Sequence, residues 1–246
     1  MIYITGDTHN EIDVSNISAR AMRTCCHTQG VDYKEIRYLV VLGDFGLPWY
    51  DCPVDEDGIH PRNGTDRYLL KWYDDKPFTV LALMGNHDNY DMIQRLPQVE
   101  MFGSTALKLS KNVFYLKRGE IYIIEGKSFL VLGGAASTDK AIRIPHVSWW
   151  EQEEWSAGEI KRFFDRLEKG GRTFDYVLSH TGPSAGIQCI ENLDGLMPDP
   201  TVKLNDEVNS RVSYKKWFFG HWHSDWGYEN FARSAYVPLY HKGIVV

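Results

Sequence analysis

Five short apolar runs in this chain stop at a glycine or a serine. Each is followed at once by side chains that bind metals or move protons. "MIYITG" leads into Asp7 and His9, "LVVLG" into Asp44, and "VLALMG" into Asn86, His87 and Asp88. "FDYVLS" leads into His180, and "WFFG" into His221 and His223. Runs this short, rich in Val, Leu, Ile, Phe and Tyr, suit strands buried on both faces. Stretches with helical spacing lie between the early ones, at Val14 to Gln29 and Thr65 to Asp75. Strands alternating with helices predict βαβ units, and such folds bind ligands at the carboxyl ends of their strands. Five separate segments therefore aim Asp, Asn or His at one rim. The glycines just before these groups permit sharp turns and close backbone approach.

The rest of the chain is read more coarsely. Asn112 to Gly134 looks like three strands joined by turns at "RGE" and "EGK", an antiparallel meander. A helix is expected over Ala157 to Lys169, a strand over Phe174 to His180 and a helix over Val202 to Val212. The strand "KKWFFGHWH" and a final pair, "AYVPLY" and "GIVV", complete the chain. The fold class is α/β, with two sheets packed together and helices outside. No linker is long enough to separate domains, so a single domain over residues 1–246 is expected. Leu47 to Asp66 and Ala135 to Ser156 read as insertions, and loops this long usually carry function or are disordered.

Charge and composition exclude some partners. The formal net charge is −6, which argues against a broad basic face for duplex nucleic acid. A small anion held by metal cations stays compatible, because bound ions bring their own local charge. The four cysteines form no C-x-x-C pair, which fits neither a disulfide framework nor a four-thiolate zinc site. The opening residues lack a basic and then apolar leader, and no apolar run approaches the roughly 20 residues that span a bilayer. The expected location is the cytoplasm, with no membrane partner.

The pairs Asp7/His9 and His221/His223 are spaced i, i+2, which in extended chain puts both side chains on one face. Each pair could then serve a single ion. Carboxylate oxygen with imidazole nitrogen suits Mn²⁺, Fe or Zn²⁺ and differs from the all-oxygen shell of Ca²⁺.

In their order, Asp7-Thr8-His9, Gly43-Asp44, Gly85-Asn86-His87-Asp88, His180 and Gly220-His221-Trp222-His223 resemble the motifs of the calcineurin-like metallophosphoesterases. The resemblance covers residues 1 to about 225. It is strongest to uncharacterised bacterial and phage-type phosphoesterases, through pieces such as "GDFG", "GGAAS" and "SWWEQEE". It implies a four-layer αββα sandwich of two mixed sheets. It also implies two divalent metal ions, Mn²⁺ first among them and Fe or Zn²⁺ as alternatives. Carried over, Asp7, His9, Asp44 and His223 would hold one ion, and Asp44, Asn86, His180 and His221 the other. The implied activity is hydrolysis of a phosphate ester by a hydroxide bridging the two metals, with His87 protonating the leaving group. Asp88 would orient His87 or the loop.

The departure at the second motif is informative. Protein phosphatases of this family extend it to G-D-x-x-D-R, where the Asp supports the catalytic His and the Arg clamps phosphate. Here Leu47 and Pro48 stand in those places, and neither can do that work. The expected substrate is a phosphodiester or nucleotide, and short single-stranded nucleic acid stays open as a partner. A phosphomonoesterase or protein phosphatase is the alternative, and a catalytically silent scaffold a more distant one. Candidate substrate contacts are Asn10, beside the first ligand pair, and Arg143 with Lys140 in the second insertion. Trp149 and Trp150 could stack a base, although adjacent residues of a strand face opposite ways and at least one should pack in the core. Trp222 is expected to point away from the metals and pack.

Overall fold

A computed structural model describes residues 1–190 and 199–246. The first half of the chain forms β1 (Ile2–Thr5), β2 (Tyr38–Val41), β3 (Val54–Asp55), β4 (Gly58–Ile59) and β5 (Thr79–Ala82). Next come β6 (Gln98–Met101), β7 (Ser104–Lys108), β8 (Val113–Leu116), β9 (Ile121–Ile124) and β10 (Lys127–Leu132). The last four are β11 (Thr173–Ser179), β12 (Ser213–Phe219), β13 (Tyr236–Pro238) and β14 (Gly243–Val245). One seven-stranded sheet has the order β14-β1-β2-β5-β8-β7-β6, and a five-stranded sheet the order β13-β12-β11-β10-β9. In the first, β1, β2, β5 and β8 run parallel. In the second, β10 to β13 do.

Alternation along the strands builds four layers. Ile2, Ile4, Val40 and Leu42 join Phe129, Val131, Leu178 and Phe218 in a core between the two sheets. The intervening Tyr3, Leu39 and Val41 face outward, against Met22 and Cys26 of α1 (Ala19–Thr28) and Leu69 and Tyr73 of α2 (Gly64–Asp74). On the far side, Leu130, Leu132, Val177 and Trp217 meet Phe163 and Leu167 of α3 (Ala157–Gly170) and Val202 and Val208 of α4 (Pro200–Arg211). A strand with apolar residues on both faces cannot sit at a wetted surface, so each sheet must be covered twice. The result is the expected αββα sandwich. No helix among the described residues is long and apolar enough to cross a membrane.

Several expectations are corrected. Residues 112–134 do form three strands, but not one meander. β8 lies in the first sheet between β5 and β7, while β9 and β10 form a hairpin at the edge of the second. The "RGE" turn is the crossing between sheets. It is fixed by Arg118, whose guanidinium donates to Glu159 and to the carbonyls of Gln152 and Glu154. A local turn signal cannot distinguish a hairpin from a crossing, because the choice is made by distant partners. The final two strands also part company: β13 lies beside β12 and β14 beside β1. The helix read over Val14 to Gln29 breaks at Ser18, whose hydroxyl accepts from Ala21 N and caps α1 after a short 3-10 turn. The hairpin β6–β7, turning at Phe102-Gly103 with positive φ at both, has no counterpart among the expected elements.

Candidate metal centre

The loops after β1, β2, β5, β11 and β12 bring the motif residues together at the carboxyl ends of both parallel arrays. Close approach there depends on missing side chains. A Cβ on Gly85 would lie 2.2 Å from Asp44 Oδ1, and one on Gly220 2.1 Å from Asp7 Oδ1. The side chains themselves are aimed by unusual backbone. His9, Asp44, His221 and His223 all have φ between 43° and 66°, a region that non-glycine residues seldom occupy and that clusters at functional sites.

This overturns the geometric reading of His221 and His223. β12 ends at Phe219, so the pair is not extended and does not share a face. The two left-handed residues instead send their rings to different clusters. Asp7, His9 and His223 offer ligand atoms within 4.8 Å of one another, and so do Asp44, His180 and His221. Asp44 stands between the clusters. Its Oδ2 is 3.3 Å from His9 Nε2 and its Oδ1 is 3.2 Å from His180 Nε2. Asn86 Oδ1 lies 3.0 Å from His180 Nε2, beside the second cluster.

The imidazoles are held by their other nitrogens. His180 Nδ1 donates to the Leu42 carbonyl at 2.8 Å, and His9 Nδ1 donates to Asp13 Oδ2 at 2.7 Å. Both Nε2 atoms are thereby turned into the site, the usual second support of a metal-binding histidine. The Tyr240 ring stacks on His223 with centroids 4.3 Å apart.

Electrostatics supports a cationic occupant. Asp7, Asp44 and His180 are almost wholly buried. Burial alone would raise the Asp44 carboxyl, yet the His180 and His9 imidazoles overcome it and hold the group well below the carboxylate range. Burial likewise disfavours charge on His180 and His9, but Asp44 and Asp7 push them up to about 10 and about 9. His221, desolvated and beside His180, is pulled down to about 3. Without metal, the buried Asp44 carboxylate is thus compensated by protons on His180 and His9. Divalent cations would displace those protons and supply the same compensation, and the oxygen-and-imidazole donor set fits them.

His87 belongs to neither cluster. Its backbone N–H donates to Asp44 Oδ1 at 2.7 Å, and its ring stands edge-on to His9 at 5.6 Å. Arg143 reaches in from the second insertion and places Nη2 2.7 Å from His87 Nε2. A guanidinium can only donate, so His87 Nε2 accepts and the ring is neutral. Burial lowers the His87 pKa, and Arg143 adds to that lowering. Arg143 is held in turn by Asp139, 2.6 Å from its Nε, and by the Ser148 carbonyl.

Other candidates take different places. Asp88 does not hydrogen-bond His87. It accepts from Gly46 N and Gly85 N at 2.7 Å each and from the Tyr115 hydroxyl at 3.2 Å, so it ties the β2 and β5 loops together. Burial and the nearby Asp44 push Asp88 up to about 6. Asn10 spends its amide on the Gly46 carbonyl at 2.6 Å and on Asp66 at 3.3 Å. Lys140 lies over the Trp149 ring, and Trp150 is core, donating to Asp91. Trp222 donates to the Thr181 hydroxyl and packs against the outer core.

The groups that aim the ligands are not legible in the sequence. Buried Glu153 accepts from both the backbone N–H and the hydroxyl of Ser137 at 2.7 Å, and Ser137 Oγ accepts from Asn86 Nδ2 at 3.3 Å. This relay turns the Asn86 oxygen toward the second cluster. Its members lie in "GGAAS" and "SWWEQEE", but nothing local links residues 16 apart. Ser137→Ala is expected to weaken metal binding at the second cluster about 10- to 100-fold, the usual cost of losing an outer partner. Calorimetric titration with Mn²⁺ reads this directly, and an unchanged second affinity would show that Asn86 is oriented by something else.

Two face-to-face sheets with paired Asp/His clusters at their strand ends define a metallophosphoesterase-like protein with a two-metal type of site. Residues 1–225 match the family model described as calcineurin-like phosphoesterase, and the chain belongs to that family. No curated protein matches it. Among solved structures it is similar to a "Putative 5'-Nucleotidase from Staphylococcus aureus", at 14% identity and a TM-score of 0.49. That match covers 98% of this chain and 48% of the other, so the chain spans about half that protein's length. A likeness this distant carries no functional weight.

Proposed function

We propose that this chain is a metal-dependent phosphoesterase acting on phosphodiesters or nucleotide-type esters, with Mn²⁺ as the favoured metal. The observation that carries the reading is the Asp44 carboxylate, which offers one oxygen to each cluster while His87 and Arg143 stand alongside. Asp7, His9, Asp44 and His223 would hold one ion, and Asp44, Asn86, His180 and His221 the other. When bound, such a pair neutralises the phosphate and lowers the pKa of water at the site.

The chain's own groups do the rest. Arg143 binds a phosphate oxygen, because a charge-assisted bond to an anion outweighs one to a neutral imidazole. That movement frees His87 Nε2 and turns away the cation that lowered its pKa, so the nitrogen can take a proton from water and pass it to the departing ester oxygen. Asp139 keeps the guanidinium aimed. The Asp–Arg pair missing at Leu47 and Pro48 is thereby replaced by Asp139 and Arg143, four residues apart in the second insertion. Asp88 and Asn10 keep the loops around the site closed on one another.

The reading is tested by hydrolysis of bis-p-nitrophenyl phosphate and p-nitrophenyl phosphate with Mn²⁺, Fe²⁺, Zn²⁺ or no metal. Metal-dependent turnover is expected, with Mn²⁺ best. Rates no higher with any metal than without would remove the phosphoesterase reading.

A further inference from the structure

A cavity of about 550 Å³ opens from the metal centre, and its two ends differ in chemistry. His9, His87 and His223 line the inner end. Ile12, Trp49, Tyr50 and Tyr240 form the walls. The size is that of a small-molecule site. Trp49 is fixed edge-on against buried Trp150, and Tyr240 is fixed by its stack on His223. These two walls are rigid before anything binds. Ile12 and Tyr50 are instead left 76% and 55% exposed at the mouth, apolar surface held in water.

The charges are segregated. No lysine or arginine lines the cavity among the described residues, and its acidic groups are Glu11 and Asp13. Asp13 is already engaged by His9 and by the Tyr240 hydroxyl. The cation of this region, Arg143, contacts His87 and is absent from the cavity wall. A second phosphate placed along the outer walls would meet a carboxylate and no lysine or arginine.

From this we infer that the cavity binds an uncharged, flat aromatic arm of the ester whose phosphate sits at the Asp/His clusters. This rests on the phosphoesterase reading and narrows it. An aromatic ring would bury Tyr50 and Ile12 and lie along rigid aromatic walls, contacts that are tolerant of ring identity. Nucleoside monophosphates and aryl phosphates satisfy this description. Nucleoside triphosphates and long nucleic-acid strands do not, because their arms carry further phosphates.

The test uses the full chain and Tyr50→Ala, an exposed position whose loss should leave the fold intact. With Mn²⁺, kcat/KM is measured for phenyl phosphate, AMP, ethyl phosphate and ATP. Phenyl phosphate and AMP should exceed ethyl phosphate and ATP. Tyr50→Ala should lower the two aromatic monoesters about tenfold more than ethyl phosphate, as loss of a stacking partner does. Preference for AMP would identify the arm as a nucleoside, and preference for phenyl phosphate as a simple aryl group. Binding is read separately by saturation-transfer NMR of adenosine and phenol with metal-free protein, where Tyr50→Ala should weaken the signal about tenfold, as loss of one stacking partner does. Equal losses for all four esters, or neither compound binding, would overturn the inference. If no ester turned over with any metal, the phosphoesterase reading would fall while the NMR arm still decided the cavity.

Discussion

Asp44→Asn is expected to reduce kcat/KM for phosphate esters by about 10³-fold or more and to leave fewer than two ions bound. Asp44 offers one oxygen to the Nε2 of a histidine in each cluster, His9 and His180. Asparagine keeps the shape and can still accept from the His87 backbone N–H. Its amide nitrogen, however, would then face His9 where an anionic oxygen stood. The change removes a negative charge from a buried position and points donor hydrogens at a cation. Two-metal sites supply several kcal/mol of charge stabilisation in the transition state, and each 1.36 kcal/mol is a factor of ten in rate. Kinetics and elemental analysis of the same preparation check the result. A variant that kept both ions and more than a tenth of the rate would show that Asp44 does not join the two halves.

His87→Ala should behave in the opposite way toward metal. The His87 ring belongs to neither cluster, and only its backbone N–H contacts Asp44, so both ions should stay. Turnover should fall about 10²- to 10⁴-fold, the range for loss of a general acid. The loss should depend on the leaving group. Ethyl phosphate expels a strongly basic alkoxide that needs a proton, whereas p-nitrophenolate leaves readily without one. A large loss for the first and a small loss for the second therefore identifies proton donation. The same loss for both would point to a positioning role and remove His87 as the acid.

The sequence carries the chemistry better than the geometry. Each motif residue sits where a buried strand ends, because the strand core and the ligand are consecutive in the chain. For that reason the placement of Asp7, Asp44, Asn86, His180 and His221 at one rim follows from the order of residues alone. What does not follow is whatever depends on distant partners. The "RGE" segment is legible as a turn, but Arg118 and α3 decide that it crosses between sheets. Spacing suggests extended geometry for His221 and His223, while in the structure both are left-handed and the His221 N–H donates to the Asp7 carboxylate, 214 residues away. Adjacency pairs Asp88 with His87, yet besides Gly85 its partners are Gly46, 42 residues away, and Tyr115, 27 residues away. Ser137, Glu153 and Asp139 lie in a stretch that reads as an insertion, with no periodicity to reveal their roles. The cavity walls are assembled from three loops and have no signal in any one of them.

Whether one carboxylate joins two cation sites is read by anomalous diffraction from crystals grown with Mn²⁺. Two peaks are expected about 3.5–4 Å apart, one among Asp7, His9 and His223 and the other among Asp44, His180 and His221, with Asp44 touching both. A single peak, or two peaks with Asp44 bound to only one, would show that Asp44 does not bridge two ions.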